Sequence, residues 1–469
     1  MESNKEVLID KANMMLKEAD KLGTSQAEVS ITLDNSALTR LANNIIDQNV
    51  AEKQVNTIII VYFGKRKGSV AADLFSAKSL KQAVTKAAKI AKISRENSDF
   101  DSLPQPQPYS TKLNTSELIS KETLEVSPEQ RAEYAQIAIN SACEVDKRIK
   151  TVSGAISNST QEKLIKNSLG VEAYDVRTQS NIILTILGND GEEETAGWSA
   201  DYRRDFSQLK IIEVAQRAAQ KAVDGFGAKL IKPGEYEIVL EPAATGGLIR
   251  MMSYAGFSAL RYQEYQSFLR DKIGEKLFSE KLDFWSDPLD KRGLYASVFD
   301  GEGFPTKKLD LINAGIVKAI AYDTLTASKD GVESTGHNIK HQRLLRLGMG
   351  DSIPLANHLF VREGDSNIEE MISETKKGIL VTHFHYQNTV NPSKGVFTGL
   401  TRDGTWMIEK GEIQPIKNLR YTDIVTRYFG NIDLIGKYQE LQDGYEWFFQ
   451  GMYPPMKLPS FRFTGSTKE

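Results

Sequence analysis

The chain has 469 residues, 40% of them hydrophobic and 26% charged, a composition of folded globular proteins that excludes a disordered chain. Its 59 basic residues are scattered among 62 acidic ones, so no basic stripe points to nucleic acid, and the apolar run "TIIIVYF" is far too short to span a bilayer. The length calls for two domains, and the lone Cys143 rules out an internal disulfide or a cysteine-rich zinc site.

The first segment, "MESNKEVLID", is charged and lacks a signal-peptide apolar core, which predicts a cytoplasmic protein. Ser3 and Glu6 form a capping-box pattern. Leu8, Ala12, Met15, Ala19 and Leu22 then recur at helical spacing up to Gly23. "AEVSITLDNSALTRLANNII" predicts a strand pair turning at Asp34-Asn35. "VNTIIIVYFGKRKGSVAADL" predicts a hairpin turning between Gly64 and Gly68. "SAKSLKQAVTKAAKIAKI" is Ala- and Lys-rich and helical. After the proline-spaced "DSLPQPQPYS", which reads as extended, the arrangement partly recurs. "SPEQRAEYAQIAINSACEVD" is a helix with Ser127 as N-cap and Pro128 in the first position. Cys143, inside that helix, is expected to be buried and inert. Strands with a turn near Asn167–Gly170 follow, then the helix "DFSQLKIIEVAQRAAQKAV".

Gly225–Gly234 reads as the junction between domains 1–225 and 226–469. Beyond it, "YEIVLEP" is a strand and residues 245–269 form a helical run. Short strands then alternate with turns at Asp300–Gly303, Asn313–Gly315, Asp403-Gly404 and Lys410-Gly411. The expected class is α+β. The N-terminal domain lays helices on a mainly antiparallel sheet, and the C-terminal domain is β-rich and antiparallel.

"FDGEGFPTKKLDLINAGIVKAIAYDTLTASKDGVESTGH" closely resembles the TldD/PmbA family of metallopeptidases and modulators of DNA gyrase. "GILVTHFHYQN" and "FTGLTRDGTWMIEKGEI" are similar to that family's later strands, and the resemblance spans nearly the whole chain. It implies a cytoplasmic protein that acts on peptides. TldD-like members carry His-Glu-x-x-x-His on a helix, with a distant cysteine completing the zinc site; two histidines hold zinc, and the glutamate takes a proton from bound water. By the register that "VLEPAATGGLI" implies, Arg250 stands at the first histidine, Met251 at the glutamate and Ala255 at the second histidine. No His-Glu pair occurs anywhere in the chain, and "QGMYPPMKLPSFRF" holds no cysteine. The resemblance is therefore to the PmbA, or TldE, type of subunit, with no cofactor of its own and zinc in the partner.

The remaining candidates are weaker. His383 and His385 would share one face of a strand and could chelate a metal, with His337, His341 or His358 as a third ligand. With no carboxylate adjacent, the simpler reading buries Thr382, Phe384 and Tyr386 and turns both histidines to a cleft or to water. No G-x-S-x-G elbow, P-loop or calcium loop is present. Tyr428, Phe429, Tyr438, Tyr445, Trp447, Phe448, Phe449 and Tyr453 crowd one stretch, as core or, where exposed, as interface anchors.

The leading expectation is a non-catalytic subunit that pairs with a TldD-like zinc-bearing paralogue, or with itself as a dimer, around an unfolded peptide. It makes no contact with membrane or nucleic acid. The alternatives are an autonomous metal-dependent peptidase (a hydrolase using His383 and His385) and a stand-alone regulatory binding protein of the gyrase-modulator type.

Overall fold

The computed structural model describes residues 4–346, 350–444 and 448–466. The fold is α+β. The first half is built on six antiparallel strands: β1 (Gln26–Ala42), β2 (Ile45–Phe63), β3 (Arg66–Ala72), β4 (Ile149–Asn167), β5 (Glu172–Asn189) and β6 (Glu194–Arg203). Their order in the sheet is β3-β2-β1-β4-β5-β6. Helices α1 (Lys5–Lys21), α2 (Ala77–Ile93), α4 (Pro128–Cys143) and α5 (Ile211–Asp224) cover one face, and a single turn, α3 (Lys121–Leu124), precedes α4. Helix, three strands and helix thus occur twice, joined where β1 pairs with β4.

Local chemistry accounts for the repeat. The α4 N-terminus is a full capping box: Ser127 Oγ accepts from the Gln130 amide at 3.2 Å, and Gln130 Oε1 accepts from the Ser127 amide at 2.9 Å. On α5, Val214, Ala215, Ala218, Ala219 and Ala222 make a buried stripe of small residues, so the helix lies close to the sheet. Each repeat places a glycine under its last helix. A Cβ on Gly68 would stand 2.1 Å from the Ala87 carbonyl oxygen, and one on Gly197 would stand 2.0 Å from that of Ala218.

Several expectations change. Residues 27–42 form part of one uninterrupted strand, and the turn falls at Asn43-Asn44, both with positive φ. Asp34 lies within the strand, paired on both sides with Gln54 and Gln161, and its carboxylate accepts from Gln161 Nε2 at 2.7 Å, tertiary contacts no local pattern reveals. Asn4 precedes α1 without a side-chain cap bond, and Ser3 lies outside the described residues. Cys143 is exposed, not buried: it is the last residue of α4, off the stripe formed by Ala135, Ala138, Ile139 and Ala142.

In the second half, five strands pair in a closed ring. β7 (Gly234–Leu240) is joined to Lys377–Asn391 in parallel and to Met456–Ser466 antiparallel; Leu419–Ile424 and Val396–Glu409 complete the circuit. Parallel pairing here, and again between 358–360 and 450–452, departs from the expected consecutive antiparallel order. Asp403-Gly404 is an irregularity inside Val396–Glu409, not a bend between strands, whereas Lys410-Gly411 does turn the chain. The helical run expected over 245–269 is shorter: α6 is Pro242–Gly256, followed by the single turn α7, Ala259–Gln263. A second sheet, ordered Ile316–Val317, Leu309–Asn313, Phe284–Ser286, His358–Val361, Phe449–Tyr453 and Glu440–Gly444, encloses the core on the other side of α6.

Candidate functional site

Helix α6 follows directly from β7, with Glu241 before it and Pro242 in its first turn. Glu241 also ties the halves together: Oε2 accepts from Lys221 Nζ of α5 at 2.6 Å. Ala244, Leu248, Met252 and Ala255 face the core. Ala243, Gly247, Arg250, Met251 and Tyr254 form the adjacent stripe and line a cavity of about 320 Å³, with Met251 at the border of the core. The paired glycines have a steric cause. A Cβ on Gly246 would meet the Tyr453 ring at 2.6 Å, and one on Gly247 would meet Gln387 Oε1 at 2.6 Å.

The facing wall is the chain from His383 to Thr389, and Trp198 and Tyr202 of β6 close the side. His383 Nε2 lies 3.2 Å from Asp403 Oδ2, and its ring stacks on Trp198 at 4.5 Å between centroids. Asp403 and Trp198 come from a distant strand irregularity and from the other half of the chain, so nothing local to "VTHFHYQN" announces them. His385 lines the same cavity beside Tyr386. The expected alternation fails after Phe384: Thr382 and Phe384 are buried, but Tyr386 has φ +48° and is 68% exposed. The pairing register slips between His385 and Asn388, which leaves Tyr386 and Gln387 out of the ladder.

Arg250 therefore shares a cavity with both histidines, and Met251 lies beside it; Ala255 is buried in the core and does not line the space. Arg250 forms no ion pair among the described residues. Asp443, on the same wall, is pushed up to about 6 by burial, against the pull of Tyr295, Arg250 and Arg177.

The other histidines are elsewhere. His337 is buried, with Nδ1 2.8 Å from the Thr335 carbonyl oxygen and Nε2 3.1 Å from Ser286 Oγ; burial brings it down to about 4. His358 is buried against Gly293 and brought down to about 3 by the same cause. His341 packs on Phe448. Among the described residues no group of three or more His, Cys, Asp or Glu is arranged to hold a metal ion. Arg250 and Met251, at the cavity, and Ala255, in the core, offer no donor suited to zinc. In the aromatic stretch, Tyr428, Phe429, Phe449 and Tyr453 are core, Tyr438 and Phe448 are half-buried, and Tyr445 and Trp447 lie outside the described residues.

Fold and cavity define a class: a helix-covered antiparallel sheet joined to a half built around a closed ring of strands, with a helix-lined cavity between. Residues 121–226 match the PmbA/TldA metallopeptidase central domain, and residues 233–467 match the PmbA/TldA metallopeptidase C-terminal domain. The chain belongs to the PmbA/TldD family. It is 26% identical over 432 residues to the metalloprotease PmbA homolog of Buchnera aphidicola, covering 91% of each chain. It is 23% identical to the metalloprotease TldD homolog of Haemophilus influenzae, over 85% of this chain and 81% of that one. The crystal structure of TldE from Thermococcus kodakarensis superposes with a TM-score of 0.86 at 25% identity, over 97% of this chain and all of the other. No described helix is long and apolar enough to cross a membrane.

Proposed function

We propose that this chain is a non-catalytic subunit of a TldD/TldE-like cytoplasmic peptidase, which pairs with a zinc-bearing paralogue and helps enclose an unfolded peptide. Arg250 carries the reading. It occupies the cavity-lining stripe of α6 at the position where the family resemblance aligns the first zinc-binding histidine. A guanidinium is always charged and has no lone pair to offer a metal. Met251 cannot take a proton from metal-bound water. The likeness to TldE over nearly the whole chain supports the same reading.

What the cavity keeps is shape and polarity. Trp198, Tyr202, Tyr254 and Phe449 give it aromatic walls, while Arg250 and His383 supply polar anchors. The slipped register at Tyr386 and Gln387 leaves backbone groups beside it unpaired with the next strand, the kind of edge an extended peptide can join.

The test combines elemental analysis with a peptidase assay, on the chain alone and with a co-expressed TldD-like paralogue. The expected result is no stoichiometric zinc, no hydrolysis by the chain alone, and more hydrolysis by the pair than by the paralogue alone. About one zinc per chain, lost in His383→Ala, would replace this reading with an autonomous metallopeptidase. A monomer that ignores the paralogue would replace it with a stand-alone regulator.

A further inference from the structure

The sheet face opposite the helices carries charge where it meets the second half. On β4 and β5, Lys163 is directly opposite Asp175, and Gln161 is directly opposite Arg177. Residues 288–306 and 336–341 roof this patch and leave a second cavity of about 240 Å³, separate from the one beside α6.

Most polar groups around it are satisfied. Asp300 accepts from three backbone amides, those of Glu302, Phe304 and Asn338, at 2.9–3.0 Å. Arg177 bonds Gln161 and lies over the Tyr295 ring, 5.0 Å from its centre. Lys340, at the edge of the cavity, is paired with Glu28. Three groups stand apart. Lys163 makes no hydrogen bond or ion pair among the described residues, and its ammonium, 5.8 Å from the centre of the Phe299 ring, is brought down to about 8 by burial and by the neighbouring Arg177. Asp175 is 7% exposed, and its Oδ1 has no hydrogen-bond partner. Asn338 is 2% exposed; its Nδ2 donates to Asp323 at 3.3 Å, but its Oδ1 has no partner.

An unmatched cation and two unmatched acceptors in one half-open cavity cost stability, and folded chains rarely keep them without a use. Together they match a molecule that carries both an anionic acceptor and a cationic donor. We infer that this cavity binds a small zwitterion of amino-acid or dipeptide size, its carboxylate on Lys163 and its ammonium on Asp175 Oδ1 and Asn338 Oδ1. A charge-assisted bond at each end gives selectivity for the doubly charged form, since a ligand lacking one charge leaves a buried group unpaired. The inference is independent of any role for Arg250.

The test uses the full chain and saturation-transfer NMR with pools of the standard amino acids and L-alanyl-L-alanine, followed by calorimetry of each hit beside its N-acetyl and amide forms. The zwitterion should bind, and each capped form should bind at least about tenfold more weakly, the loss of one charged contact. Lys163→Met should abolish binding and melt no lower than the parent. Asp175→Asn, which keeps the side-chain shape, should weaken binding at least about tenfold. Lys150→Met, which changes an exposed lysine at the start of β4, should bind as the parent does. No binder at millimolar concentration, equal binding of the capped forms, or full binding by Lys163→Met would overturn the inference and leave the cavity to ordered water alone.

Discussion

Replacing Lys340 by methionine tests how the two halves are held together. Lys340 comes from the second half and Glu28 from β1, and their side chains are 2% and 1% exposed. Burial alone pushes the Lys340 ammonium down, but Glu28, Glu302 and Asp351 together outweigh it, so the net direction is up. In Lys340→Met, Glu28 keeps its burial and loses its counter-charge. Breaking a buried pair from one side costs about 3–5 kcal/mol, because the remaining charge stays desolvated. Removing both charges, Glu28→Gln with Lys340→Met, should recover most of that loss, since a buried pair contributes little net stability against neutral residues of similar size. Urea denaturation followed by circular dichroism, on both single variants and the double, gives the coupling energy. The pH dependence has a fixed sign. A lysine whose folded pKa is raised contributes fully below its unfolded pKa of about 10.4 and loses that contribution as pH rises through the higher folded value. The parent should therefore lose stability above about pH 10 more steeply than the double variant does. A Lys340→Met chain within about 0.5 kcal/mol of the parent would refute the argument, because surface-like substitutions behave that way.

Gly197→Ala should destabilise by at least about 1–3 kcal/mol, since the new Cβ meets helix backbone that cannot swing aside; chemical denaturation reads this directly. Gly68→Ala should cost a similar amount, and the two losses should add because the sites lie in separate repeats. Asp443→Asn should raise the melting temperature at pH 8 and have little effect at about pH 3.5, below the unfolded carboxyl pKa of about 3.9. The buried carboxyl is raised to about 6, so its contribution is whole below the unfolded value of about 3.9, falls as pH rises from there, and is gone above the folded value. Cys143 should take one equivalent of maleimide in the native state, faster as pH rises because partial burial pushes its thiol up; mass spectrometry of the intact chain reports the adduct. Ser127→Ala should cost about 1 kcal/mol through loss of the α4 cap, read by thermal melting.

The sequence showed most plainly what short-range chemistry decides. The α4 cap and the stripes of α1 and α5 follow from spacing alone, because burial of one helix face imposes the same period on residues and on structure. The family resemblance directed attention to α6, and the structure sets Arg250 in one cavity with His383 and His385. What remained hidden depends on partners far along the chain. Asp34-Asn35 looks like a turn until Gln54 and Gln161 pair with Asp34 from both sides, and Tyr386 leaves the buried face because the strand register slips. Lys163 and Asp175 are ordinary alternating strand residues in the sequence. They become neighbours only when β4 pairs with β5, and they become buried only when the second half covers them.

The closed ring has a consequence for the order in which the chain can fold. β7 opens the second half, yet one of its two neighbours, Met456–Ser466, follows almost all the rest of it. The six-stranded sheet and its helices are complete by Asp224, so they can form while later residues are still being synthesised. The ring cannot. Until 456–466 arrives, β7 and Leu419–Ile424 each expose an unpaired edge, and closure requires a contact between segments very distant in sequence. Nascent or truncated chains that lack this strand should therefore be a main source of aggregation, and they should be recognised by chaperones through open strand edges in an otherwise folded molecule.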